Sequence, residues 1–167
     1  MATEIISQLE NALADTVALL SSFNEKDLNA VPFEGSWTAA QVGRHLFKSE
    51  NGIDQLLYAP AQPAGRQPDE RAEGLRAILM DFGTKLKCPD FLLPEDTHYD
   101  KEALLESLQG AKEKLLDAAR KADLSFIAPL PESHPLNGNT KLEMVHFMAY
   151  HTVRHNNQIK SIMQVLQ

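Results

Sequence analysis

A single cysteine, Cys88, leaves the chain without an internal disulfide framework. Such sparse use of cysteine fits a reducing compartment, and a cytoplasmic location is the expectation. No apolar run approaches the roughly 20 residues that a membrane span needs. The opening MATEIISQLE lacks the basic-then-apolar pattern of a secretory signal. Basic runs are missing too. Lys and Arg number 16 against 23 Asp and Glu, and the resulting formal charge of −7 argues against a nucleic-acid partner. Glycine-rich phosphate loops and Gly-x-Ser-x-Gly elbows are absent, and no convincing Ser–His–Asp set stands out. Cys88, in LKCPDF, has no identifiable base and reads as a packed residue beside a turn.

What the chain does have is helical periodicity. Its 167 residues, 43% of them hydrophobic, can fill one core, so a single domain over residues 1–167 is expected. Residues 4–23 place Ile6, Leu9, Leu13, Val17 and Leu20 on one stripe, and residues 101–122 place Leu104, Leu108, Ala111, Leu115, Ala118 and Ala122 on another. Thr38 to Gln41 and Thr140 to Glu143 each fit a capping box, in which the two side chains satisfy each other's free backbone amides. The first predicts a helix whose stripe runs through Val42, Leu46, Ile53 and Leu57, with Trp37 and Val42 as a hydrophobic staple; the second predicts a helix to about Val165. A shorter helix is expected over residues 69–81, after Pro68. The proline-bearing stretches 82–99 and 124–139 read as irregular; both a pocket lining and a plain surface loop fit them. The fold class is therefore all-α, a four-helix bundle with an additional short helix.

Three histidines are placed for chemistry. His151 and His155 stand four apart, so on a helix they differ by about 40° and project from one stripe, one turn apart. His-x3-His on a helix can offer a metal two nitrogens, and His45, near the edge of the stripe on the second helix, is the candidate third ligand. Three imidazoles leave coordination positions open, as sites for chemistry do. Three buried histidines satisfied by hydrogen bonds fit the same spacing.

Other metal patterns fit less well. Glu95-x-x-His98 and Glu143-x-x-His146 match the string used by di-iron bundles. The first lies in an irregular segment, and His146 falls about 140° from His151, off the inward stripe. His98 and His146 are expected at the surface or rim, and His134 in a loop. A zincin protease needs Glu directly after its first histidine, where this chain has Thr152. Glu50 and Tyr150 receive no acid–base role from the sequence.

Trp37-Thr38, His45-Leu46, His151-Thr-Val-Arg-His155 and Gln158-Ile159 occur in an order and spacing that resembles the DinB-like family of metal-binding helical bundles, related to bacterial thiol transferases. The resemblance covers nearly the whole chain. It implies a four-helix bundle, often a homodimer, with His45, His151 and His155 as ligands of a divalent ion such as zinc or nickel. It also implies transfer of a low-molecular-weight thiol to an electrophilic small molecule; the net charge and the hydropathy of the chain set the further expectation of no nucleic acid and no membrane as partner. A metal-dependent hydrolase and a non-catalytic, stress-associated metal- or ligand-binding bundle remain as alternatives. Asn156-Asn157, where many members have Arg-Gly or a similar pair, leaves the pocket wall and the substrate open.

Overall fold

The computed structural model describes residues 2–167. The elements in order are α1 (Ala2–Ser21), α2 (Glu25–Leu28), α3 (Ala39–Glu50), α4 (Ile53–Tyr58), α5 (Ala72–Leu79), α6 (Lys101–Lys121) and α7 (Lys141–Leu166), with one 3-10 turn at Asp90–Leu92. Four long helices form the bundle. α1 packs against α6 and α7, and α3 packs against the same two from the opposite corner. α4 extends the α3 side along α6, and α5 lies on α7. No strand occurs among the described residues; isolated bridges join Pro63 to Phe126 and Ile127 to Thr140.

Both capping boxes form as predicted. The Thr38 amide donates to Gln41 Oε1 at 2.9 Å and the Gln41 amide to Thr38 Oγ1 at 3.1 Å. The Thr140 amide donates to Glu143 Oε1 at 2.9 Å and the Glu143 amide to Thr140 Oγ1 at 3.0 Å. These side chains fix where α3 and α7 begin, and so fix the turns on which the histidines stand. Val42 is fully buried and Trp37 packs against the same cluster, as the staple requires.

The helix expected to carry Val42 through Leu57 is instead two helices. It breaks at Asn51-Gly52, where Gly52 has φ +91°, a left-handed conformation that disfavours other residues and cannot continue a right-handed helix. Ile53 and Leu57 thus belong to α4. The short α2 was not apparent from periodicity. Its cap, the Asn24 side chain accepting from the Asp27 amide, is a local signal. The helix expected over 69–81 is regular over Ala72–Leu79. The buried face of α1 runs through Ile5, Leu9, Ala12, Leu13, Thr16 and Leu20; Leu9, Leu13 and Leu20 of the predicted stripe are on it, and Ile6 and Val17 lie at its margin, a slight rotation. The rotation turns Thr16 inward, where it donates to Asn156 Oδ1 at 2.6 Å; Asn156 Nδ2 donates to Ala12 O at 2.9 Å. Across the bundle, a Cβ on Gly43 would lie 2.8 Å from Leu20 Cδ1 and 3.3 Å from Leu104 Cδ2, so α3 sits close to α1 and α6 at that point.

Candidate metal centre

α3 and α7 pack against each other, and between them the three histidines converge. His45 Nε2 lies 3.2 Å from His151 Nε2 and 3.1 Å from His155 Nε2. The rings meet edge-on or tilted, with centroids 4.5–5.1 Å apart. They are the one group of three or more potential ligand residues that draws together among the described residues. Zn–N bonds of about 2.0–2.1 Å in a tetrahedron place ligand nitrogens about 3.4 Å apart, so the observed spacing is within a few tenths of an ångström of what such an ion needs.

The hydrogen bonds behind the rings decide which nitrogens are bare. His45 Nδ1 lies 2.9 Å from the carbonyl of Leu92, which can only accept, so Nδ1 carries the proton and Nε2 a lone pair. His155 Nδ1 lies 2.8 Å from Gln158 Oε1 and is set the same way. Two lone pairs therefore face each other at 3.1 Å, an arrangement that asks for a proton or a cation between them. His151 Nδ1 is buried without a partner, so no group behind the ring holds it in the ligating tautomer. Phe147 stacks on His151 at 5.1 Å and Trp37 lies 5.3 Å from His45, shielding the rings.

Burial dominates the electrostatics. Desolvation lowers the pKa of all three histidines, mutual repulsion adds to it for His151 and His155, and together with the other contacts they bring His155 to about 3. The cluster is therefore neutral near pH 7, the state in which imidazole can ligate a metal. Cys88 Sγ lies 3.5 Å from His45 Nδ1, on the side of the ring away from the cluster. Burial, then the charge of Asp90, raises its pKa, so it remains a thiol and is no activated nucleophile.

The cluster forms part of a cavity of about 1100 Å³. Residues 82–89 and 134–136 contribute to its walls, so parts of both irregular stretches line a pocket. Asn157 lines it as well, whereas Asn156 turns into the core. The remaining histidines stand apart. His98 is exposed beside Glu25, His146 is half-buried with Nδ1 3.0 Å from the Tyr150 hydroxyl, and His134 lies in a loop at the cavity wall. The di-iron pattern dissolves because its carboxylates are engaged elsewhere. Glu95 pairs with Arg44 and Lys48, and Glu143 with Arg66.

One buried acid on α3 stands apart from the cluster. Glu50 is 2% exposed, and neither carboxylate oxygen has a partner. Burial pushes its pKa up to about 8. It lies about 140° round α3 from His45, and neither Glu50 nor Tyr150 lines the cavity.

The family model of the DinB superfamily matches residues 8–159, and the chain belongs to that superfamily. The three-histidine cluster fits a metal-binding protein of this kind. No curated protein and no solved structure matches the chain significantly.

Proposed function

We propose that His45, His151 and His155 hold a divalent ion, zinc or nickel, through their Nε2 atoms, and that the protein transfers a low-molecular-weight thiol to an electrophilic small molecule. The observation that carries the metal assignment is the pair of bare nitrogens, on His45 and His155, facing each other at 3.1 Å. A single proton on His151 can relieve only part of that repulsion, whereas a cation relieves all of it. When bound, a divalent ion with an open coordination position lowers the pKa of a thiol.

The chain's own residues do the remaining work. The Leu92 carbonyl and Gln158 hold two rings in the ligating tautomer. Phe147 and Trp37 keep water from their faces. The cavity has room for a thiol and a second small molecule side by side. Cys88, protonated, leaves the role of nucleophile to a thiol that comes from outside.

The test uses tag-free protein. Zinc should bind at one equivalent per chain, and His45→Ala should abolish that binding. Zinc at 1000-fold above its Kd should add about 4 kcal/mol of stability. Chelation should reverse the gain without unfolding the chain, because the core clusters contain none of the three histidines. Metal-loaded protein should then accelerate addition of a small thiol to a model electrophile over chelated and His45→Ala protein. Equal rates in all three would leave a binding protein and remove the transferase. The homodimer implied by the family belongs to the same reading, and a monomeric mass across micromolar concentrations would remove it.

A further inference from the structure

The chain as a whole is acidic, but the wall of the histidine cavity is not. Five cations line it, Arg44, Lys48, Lys85, Lys87 and Arg154, and among the described residues no aspartate or glutamate does. In a chain with 23 acids and 16 bases, that is a marked segregation of charge. Two of the five are compensated, since Arg44 and Lys48 share Glu95. Arg154 meets only carbonyls, those of Leu79, Asp81 and Thr84, so no carboxylate neutralises it. These bonds tie the segment entering the 82–89 wall to α7. Lys85 and Lys87 follow directly and have no hydrogen bond or ion pair.

The same mouth carries apolar groups left open to solvent. Phe33, Phe82, Leu86 and Phe91 all line it and are 59%, 44%, 43% and 61% exposed. Exposed apolar side chains of this size, gathered round one cavity rather than scattered, mark a binding surface. A ligand that satisfies the whole surface has an apolar body for the aromatic rim and a negative group for the uncompensated cations.

We infer that this cavity selects an amphipathic anion, a small molecule with an aromatic or aliphatic body and a carboxylate, sulfonate or phosphate group, and that Lys85 and Lys87 read its charge. The inference rests on the cavity being the substrate pocket of the proposed metal centre, and it names the class of substrate admitted there. Lys85 and Lys87 are specificity residues. They stand on a connection rather than on the helices that carry the histidines, so their effect is separable from metal binding.

The probe pair is 8-anilinonaphthalene-1-sulfonate and N-phenyl-1-naphthylamine, which share an aromatic body and differ in the sulfonate. Both are titrated by fluorescence, into chelated and into zinc-loaded protein. The sulfonate should bind one per chain and at least tenfold more tightly than the neutral amine. Lys85→Gln/Lys87→Gln should weaken the sulfonate by about tenfold, leave the amine within twofold, and leave zinc affinity unchanged. Equal binding of the two probes, or an unchanged double variant, would overturn the inference even with zinc bound normally. Loss of zinc binding with charge selection intact would instead count against the metal centre alone. Sedimentation of the protein with phosphatidylglycerol vesicles, without one-to-one binding of the free sulfonate, would reassign the cationic rim to a lipid surface and overturn the inference.

Discussion

Glu50→Gln should be more stable than the parent at pH 8 by roughly 4 kcal/mol, and the gap should shrink to about 1 kcal/mol at pH 5. The parent carboxyl has a folded-state pKa of about 8, against an ordinary value of 4.5. Burial is the cause, and no donor or cation compensates for it. Between those two values the unfolded chain has released the proton while the folded chain retains it. The folded state then binds more protons than the unfolded one, so stability falls as pH rises. Glutamine has nearly the same shape and no charge to desolvate, so it removes this slope. The histidines act in the opposite direction. Their folded pKa values are lowered, so their contribution is present above the unfolded value and lost as pH falls. The measurement is therefore a difference, urea denaturation of metal-free parent and variant at pH 5, 6.5 and 8. A gap that stays constant across that range would show that the Glu50 proton is not held as described.

Arg66→Ala should cost the metal-free protein about 3 kcal/mol. Arg66 grips Glu143 with two parallel hydrogen bonds, Nη1 to Oε2 at 2.8 Å and Nη2 to Oε1 at 2.7 Å, and Nη2 also reaches the Gly138 carbonyl. Glu143 is fully buried. Burial alone would raise its pKa, but Arg66 and the amides of Thr140 and Arg71 outweigh that and lower it. Removing the guanidinium leaves a buried carboxylate with backbone donors alone. Those donors keep the loss at the lower end of the range for a broken buried pair. Glu143→Gln added to Arg66→Ala should recover part of the loss, because the stranded charge is gone. Chemical denaturation of the two variants at pH 7 checks both statements. A loss below 1 kcal/mol for Arg66→Ala would mean that water reaches the carboxylate.

Glu143 also shows where sequence reading reaches its limit. Its place in the second capping box is local, set by a threonine three residues earlier, and is legible from the chain alone. Its ion pair with Arg66 spans 77 residues of sequence and is not. The same division holds elsewhere. The four-residue step between His151 and His155 follows from helix geometry, and the family pattern adds His45. That His45 Nδ1 is held by Leu92, 47 residues away, depends on how the connection after α5 folds back. Periodicity carried the stripe of α3 through Gly52, since Ile53 and Leu57 continue an apolar pattern; the positive φ at Gly52 overrides it. Of the pair Asn156-Asn157, which departs from the family pattern, Asn156 turns into the core, where it bonds Thr16 and the Ala12 carbonyl on α1. Lys85 and Lys87 carried no signal at all, because an exposed lysine in a loop acquires meaning only from the cavity beside it.

The division of parts between helices and connections bears on how such a protein can change over generations. The imidazoles stand on α3 and α7, whose starts are fixed by their own capping residues and whose faces are committed to the core. Both unpaired lysines, along with Phe82, Leu86 and Phe91, stand on the chain between α5 and α6. Connections accept substitution, insertion and deletion far more readily than packed helices do. Drift in that stretch would therefore reshape the rim of the cavity while the imidazoles beneath it keep their places.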